Sequence, residues 1–247
     1  MKAPNSQLRL PLALILLACI TLIALLLPSV ADAQNREVGF KREAPDMDAI
    51  RQAINDRRSQ YYYPRLMEEY TRNDTLMKLD KFRHLYFGYM LQEDYNPYRP
   101  KSYPEFMRAI FDKKDLTRQE CDSVIKYSEI ALQDNPFDLH RIINLISALK
   151  TKGKNNLAKI WQYKLDYILM AIVSSGTGAD EDNAWYVIQP EHEYVLFNAM
   201  GLVVDNHVFH EPCYEYITAT DSSGNKSGYY FNIETLLEEY YRKFPEQ

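Results

Sequence analysis

The chain predicts an α+β fold dominated by helices: antiparallel, tetratricopeptide-like helical hairpins followed by a small β-containing C-terminal part. Three observations predict it. Between Tyr63 and Ile172, apolar residues recur once per helical turn in successive blocks. The last three blocks are joined by connections of about four residues, which force consecutive helices to lie antiparallel. After the Ser174-Ser175-Gly176-Thr177-Gly178 cluster, the helical period gives way to runs rich in Tyr, Ile and Thr bounded by polar turns.

Composition narrows the class. A chain of 247 residues with 46% hydrophobic and 26% charged residues is ordinary for a globular protein. A formal net charge of -5 argues against a nucleic-acid-binding domain, which carries a basic surplus. Three cysteines are too few for a disulfide-dense scaffold. The departure is 20 Tyr against 2 Trp.

Four segments follow in order: a signal peptide (1–33), a polar leader with a first helix (34–60), the helical hairpin region (61–175) and the α+β part (176–247). Lys2 and Arg9 precede or open an apolar run from Leu10 to Leu27. Pro28 and Ser29 break it, and Ala31-Asp32-Ala33 fits a small-residue cleavage site. This predicts export to the periplasm or beyond, with cleavage after Ala33. Two other readings compete. Leu16-Leu17-Ala18-Cys19 resembles a lipobox, although the residues after Cys19 stay apolar. The run is also at the lower edge of the length of a membrane span, so an uncleaved anchor is the third.

Met47 to Arg58 predicts a polar first helix. Tyr63-Pro64 opens a second, since proline suits a first helical turn, and Leu66, Met67 and Tyr70 share its apolar face. Leu79, Phe82, Leu85, Tyr86, Tyr89 and Met90 make a third, which ends in Gln92 to Pro100, where Pro97 and Pro100 exclude helix. Thr117 with Glu120 is a capping-box pattern, followed by Cys121, Val124, Ile125, Ser128, Ala131 and Leu132 on one face. Asn135-Pro136 stops that helix. Leu139, Ile142, Ile143, Ile146 and Leu149 line the next, which ends before Lys152-Gly153. Leu157, Ile160, Trp161, Leu165, Ile168 and Ile172 line the one after. The spacing is close to one tetratricopeptide unit, without that repeat's small-residue and glycine signature.

Beyond Gly178, Ala184 to Ile188 reads as a strand and Pro190 to Met200 as a short helix ended by Gly201. Leu202 to Val204 is short and apolar. Cys213 to Thr220 and Tyr229 to Ile233 flank a polar turn as a β-hairpin. Asn232 caps a last helix whose Ile233, Leu236, Leu237, Tyr240 and Phe244 share a face toward the sheet.

Four stretches carry a resemblance: YYYPRLMEEY (Tyr61 to Tyr70), KFRHLYFGYMLQEDYNPYRP (Lys81 to Pro100), FNAMGL (Phe197 to Leu202) and YYFNIETLLEEY (Tyr229 to Tyr240). Over roughly Arg42 to Phe244 the chain resembles the domain of unknown function 4919 family of exported bacterial proteins. The most specific piece is Arg83 to Tyr89 with Asn96-Pro97-Tyr98. The resemblance implies export from Bacteroidetes-type cells, and it assigns no activity or catalytic residue.

The chemical signals are modest. Asp205, His207, His210, Glu211 and Cys213 form the densest set of potential zinc ligands. Asp205-Asn206 and Pro212 disfavour a helix there, and in a strand His207 and His210 point to opposite faces. Half-buried or surface imidazoles are expected, and no metal or cofactor is implied. Glu191-His192-Glu193 lacks the second histidine of a zinc protease; its carboxylates suit the first turn of a helix. Gly176 to Asn183 lacks the Lys and Ser/Thr of a phosphate loop and reads as a solvated linker. No Gly-x-Ser-x-Gly elbow is present. Cys121 and Cys213 read as two buried thiols. Asp74-Thr75-Leu76 matches a short acceptor pattern for O-linked sugars, with Thr75 in an exposed turn; Asp122-Ser123-Val124 matches it inside a helix.

The candidate binding residues are Tyr89, Tyr95, Tyr98, Arg99 and Tyr103, in and beside the Pro-bounded loop after the third helix. Tyrosine presents a flat apolar face and one hydroxyl at low entropic cost, which suits protein and sugar surfaces. The expectation is a non-catalytic exported protein binding an envelope protein, peptide or glycan. The rival is a hydrolase using carboxylates or the His207/His210 neighbourhood.

Overall fold

A computed structural model describes residues 40–113 and 115–245. The Leu10–Leu27 run, Cys19 and the Ala31–Ala33 site lie outside the described residues. Among those described, no helix is long and apolar enough to cross a membrane.

The described residues form an α+β fold led by nine helices. Helix α1 (Met47–Asn55) begins where the Asp46 carboxylate accepts the Ala49 N–H at 2.9 Å. It ends before the predicted Arg58, because Asp56 turns out of helical geometry and its side chain accepts the Arg58 N–H. Helix α2 (Tyr63–Thr71) carries Pro64 in its first turn, and α3 spans Leu79–Tyr89. A short α4 (Phe106–Phe111) was not anticipated. The Thr117/Glu120 capping box opens α5 (Arg118–Asp134), and Asp138 caps α6 (Leu139–Thr151). Gly153, at φ 75°, turns the chain into α7 (Asn155–Val173). Helices α5, α6 and α7 pack as consecutive antiparallel neighbours.

The C-terminal part holds β1 (Trp185–Tyr186), α8 (Glu191–Ala199), β2 (Val203–His210), β3 (Tyr214–Thr220), β4 (Lys226–Asn232) and α9 (Glu234–Lys243). The sheet order is β1-β4-β3-β2; β2, β3 and β4 run antiparallel and β1 pairs with β4 in parallel. The expected hairpin is thus part of a larger sheet. The patch read as short and apolar, Leu202 to Val204, opens into the edge strand β2, which continues to His210 with a bulge between Val204 and Asn206. Register sets the faces. Ile217, Ala219 and Phe231 are buried on the inner side, while Tyr214, Tyr216 and Tyr230 share the outer one. Asn232 serves α9 as expected: its Oδ1 accepts the Glu234 N–H at 2.9 Å.

A continuous core runs from Ile50 in α1 to Leu236 in α9. Its centre is aromatic: Phe137 sits 5.0 to 5.8 Å from Tyr70, Tyr86 and Tyr89. Each such pair contributes about 0.5–1.5 kcal/mol beyond its area. A buried polar chain crosses this core. The Ile188 N–H donates to Tyr86 Oη (3.3 Å), Tyr86 pairs with His192 Nδ1 (2.7 Å), and His192 Nε2 meets Phe137 O (2.8 Å). A carbonyl only accepts, so Nε2 carries the proton and Nδ1 takes the tyrosine hydroxyl's. Burial drives the His192 pKa down to about 3.

The Gly176–Asn183 linker is solvated as expected at Thr177 and from Ala179 to Asn183, while Gly176 and Gly178 are buried. The Thr177 and Gly178 N–H groups both donate to Asn183 O, and Gly178, at φ 72°, lies under the Trp185 ring. Cys121 and Cys213 are separate buried thiols, and Thr75 is exposed in the turn between α2 and α3.

Candidate functional site

The loop after α3 and the starts of α6 and α8 enclose a cleft of about 300 Å³. Its near wall is Pro97 to Ser102, its base Ala131, Asp134, Asn135 and Asp138, and its far wall Gln189 to Glu191. The loop is held rigid by its own chemistry. Two prolines limit its backbone, and the Asn96 side chain accepts the Tyr98 N–H at 2.9 Å. Arg99 staples it to the end of α5, donating to Asp134 Oδ1 (2.6 Å) and Asp134 O (2.9 Å), and to the Asp94 carbonyl. Ser102 Oγ also bonds Asp134. The Ser102 hydrogen bond and the Arg99 guanidinium hold the Asp134 carboxyl below its ordinary pKa.

Charged side chains of both signs line the cleft in near balance. Arg99 and Lys101 face Asp134, Asp138 and Glu191. Lys101 approaches Glu191 at 3.9 Å across the mouth, an exposed pair that contributes at most about 1 kcal/mol. Asn135 donates to Gln189 at 3.3 Å, which joins base to far wall. Burial raises the Asp138 pKa, and its carboxylate is committed to the α6 N-terminus. Tyr98, 51% exposed, forms the aromatic rim and packs edge-on against Tyr240 of α9 at 4.9 Å.

Behind Tyr98, between α8 and the sheet, lies a second group of ionisable side chains. His207 on β2 contacts Glu215 on β3 through Nε2, and its Nδ1 meets the Tyr194 hydroxyl at 2.8 Å. Glu193 on α8 points at the same imidazole from 3.9 Å. It is 0% exposed, and neither carboxylate oxygen has a hydrogen-bond partner. Burial first, then the charge of Glu215, pushes its pKa well above the usual carboxylate range. Burial and the charges of Glu215 and Glu193 also raise the Tyr98 pKa, so the rim of the cleft senses this group. Among the described residues no three His, Cys, Asp or Glu side chains are arranged to hold a metal ion.

Residues 48–242 match the family described as a domain of unknown function, DUF4919. The chain belongs to this family. No curated protein and no solved structure is similar enough to count as a match. Membership in DUF4919 assigns no role to any residue, so the site rests on geometry alone.

The five sequence-derived candidates in this DUF4919 chain separate. Tyr98 and Arg99 line the cleft, with Arg99 acting mainly as the loop's anchor. Tyr89 and Tyr95 are corrected to core residues: both are buried, and the Tyr95 hydroxyl donates to Ile188 O at 2.6 Å. Tyr103 packs against Phe111 and the Arg141 guanidinium, outside the cleft. His207 and His210 face opposite sides of β2, with His210 against Tyr216 and Tyr230. Sequence reasoning missed Asp134, Gln189 and Glu191 as cleft residues. Glu191 and Glu193 both stand in the first turn of α8 as expected, and the burial of Glu193 is what sequence reasoning missed.

Proposed function

We propose that this protein is exported, is cleaved after Ala33 and works without catalysis as a glycan-binding component of the cell envelope. The cleft carries the reading. Its volume is at the small end of ligand sites, about 300 Å³. It is lined by hydrogen-bonding groups of both kinds, with little net charge and one flat aromatic rim. Neutral polyhydroxylated rings match that lining better than strongly charged ligands, which need a surplus of one sign. The pre-set loop lowers the ordering cost of binding. Glu193, the carboxylate with the raised pKa, is sealed beneath the sheet rather than open to the cleft, which favours binding over hydrolysis. Export draws its support from the apolar Leu10–Leu27 run followed by Ala31-Asp32-Ala33.

The test is NMR titration of the 34–247 chain with a panel of mono- and oligosaccharides. Shifts confined to Tyr98, Ser102, Asn135 and Gln189, lost in Tyr98→Ala and Gln189→Ala with the melting temperature kept, are expected. Absence of shifts across the panel, or release of shortened sugar during incubation, refutes the reading. The mass of the N-terminal peptide of the secreted protein tests the cleavage.

A further inference from the structure

The outer face of the sheet carries a run of aromatic side chains. Tyr186 on β1, Tyr214 and Tyr216 on β3, Tyr230 on β4 and His210 on β2 all point to this side by register. Three of them touch: Tyr216 to Tyr230 at 4.7 Å, His210 to Tyr216 at 5.3 Å and His210 to Tyr230 at 5.9 Å. Gly228 lets this cluster lie flat, because a methyl group there would sit 2.0 Å from the Tyr216 hydroxyl. All five side chains are half-buried.

One end of this platform is strongly acidic. Glu181, Asp182 and Glu234 are exposed and make no ion pair among the described residues. Glu181 and Asp182 stand just before β1, and Glu234 just after Asn232 of β4, the residue that pairs with both Tyr186 and Tyr214; burial first, then these acids among its neighbours, raises the Tyr214 pKa. Carboxylates without ion-pair partners beside half-buried tyrosine rings provide both halves of a cation site. The acids attract an ammonium or guanidinium group over distance, and the ring faces hold it on contact.

We propose that this face docks a basic, extended peptide segment, whose lysine or arginine side chains lie over Tyr214 and Tyr186 and point at Glu181, Asp182 and Glu234. The site is separate from the cleft and stands whether or not the cleft binds a glycan. A peptide partner fits better than a saccharide here because a neutral sugar gains nothing from the unpaired acids. It also fits better than an acidic segment, which the same acids repel.

The probe is a capped octapeptide of alternating Lys and Gly, compared with its Glu-Gly counterpart by fluorescence anisotropy on the 34–247 chain. The Lys peptide binds and the Glu peptide does not. Raising salt from 0.05 to 0.5 M weakens the Lys peptide by roughly tenfold or more, as screening requires. The triple variant Glu181→Gln, Asp182→Asn, Glu234→Gln changes only exposed side chains and weakens it by a similar factor. Tyr214→Ala weakens binding, while Tyr214→Phe, which keeps the ring, retains it. Equal binding of the two peptides, or Lys-peptide binding unchanged in the triple variant, overturns the proposal. Failure of the Lys peptide to bind at 0.05 M salt overturns it too. None of these results touches the saccharide titration at the cleft, so the two readings fail separately.

Discussion

The buried imidazole of His192 makes the stability of this protein fall in mild acid, by an amount the structure allows one to estimate. His192 is 1% exposed, and its two nitrogens are committed to Tyr86 and to Phe137 O. A second ring proton would sit on Nδ1 and displace the hydrogen that the Tyr86 hydroxyl donates there. The folded-state pKa is about 3, against 6.5 for an unperturbed histidine. The folded chain therefore binds fewer protons than the unfolded one between these values, and stability drops as pH falls. The contribution is fully present above about pH 6.5 and is lost at about 1.4 kcal/mol per pH unit down to about pH 3. Going from pH 7 to pH 5 costs about 2 kcal/mol from this residue alone. Urea unfolding of the natural chain and of His192→Gln, at both pH values, isolates it. Glutamine keeps an acceptor and a donor but does not titrate. The variant is expected to be less stable at pH 7, with a deficit that shrinks by about 2 kcal/mol at pH 5. A deficit that stays constant would show that His192 gains its proton in the folded state as easily as in water, and the buried polar chain would be wrong.

Glu193 carries the opposite slope. Its raised pKa makes its contribution largest below about pH 4.5 and lost as pH rises toward the folded value. Glu193→Gln is therefore expected to raise the melting temperature at pH 8 and to change it little at pH 4. A variant that melts lower at pH 8 would mean that the carboxylate has a partner. Tyr95→Phe leaves Ile188 O unbonded and is expected to cost about 2 kcal/mol, with sugar shifts at the cleft retained; loss of those shifts without loss of stability would restore Tyr95 as a binding residue. Gly178→Ala forces a Cβ to 2.8 Å from the Trp185 ring at a positive φ, and urea unfolding should show a loss of about 2 kcal/mol or more.

The helices were legible wherever a periodic apolar face and a cap occur together. Thr117 with Glu120, and Asn135-Pro136 after Leu132, bracket α5 because the side chains that satisfy orphan backbone groups are local in sequence. Helix α4 escaped notice because six residues show no period and Phe106 faces water. Strand β2 escaped because an edge strand with solvent on both sides need not alternate. Only Val204 and His207 are even half-buried on its inner side, and Phe209 is 48% exposed. The aromatic loop was legible as a feature, since Pro97 and Pro100 mark it. Which tyrosines it shows to solvent was not. Tyr95 goes inside because a carbonyl from a distant segment, Ile188 O, takes its hydroxyl. The far wall of the cleft had no sequence signal either, because Gln189 and Glu191 meet Asn135 and Lys101 only through the tertiary fold. Glu193 stands two residues, about 200° of helical turn, past Glu191, so a first-turn reading that holds for both carboxylates says nothing of which one is buried.

Ile188 receives a tyrosine hydroxyl on its carbonyl and gives its N–H to another, so both polar atoms of one peptide residue are bound by side chains from α3 and the loop behind it. Separating the helical stack from the segment after Gly176 would strand two phenols and an imidazole in an oily interior with nothing to bond. The two portions are thermodynamically inseparable, and heating should melt them in a single cooperative step.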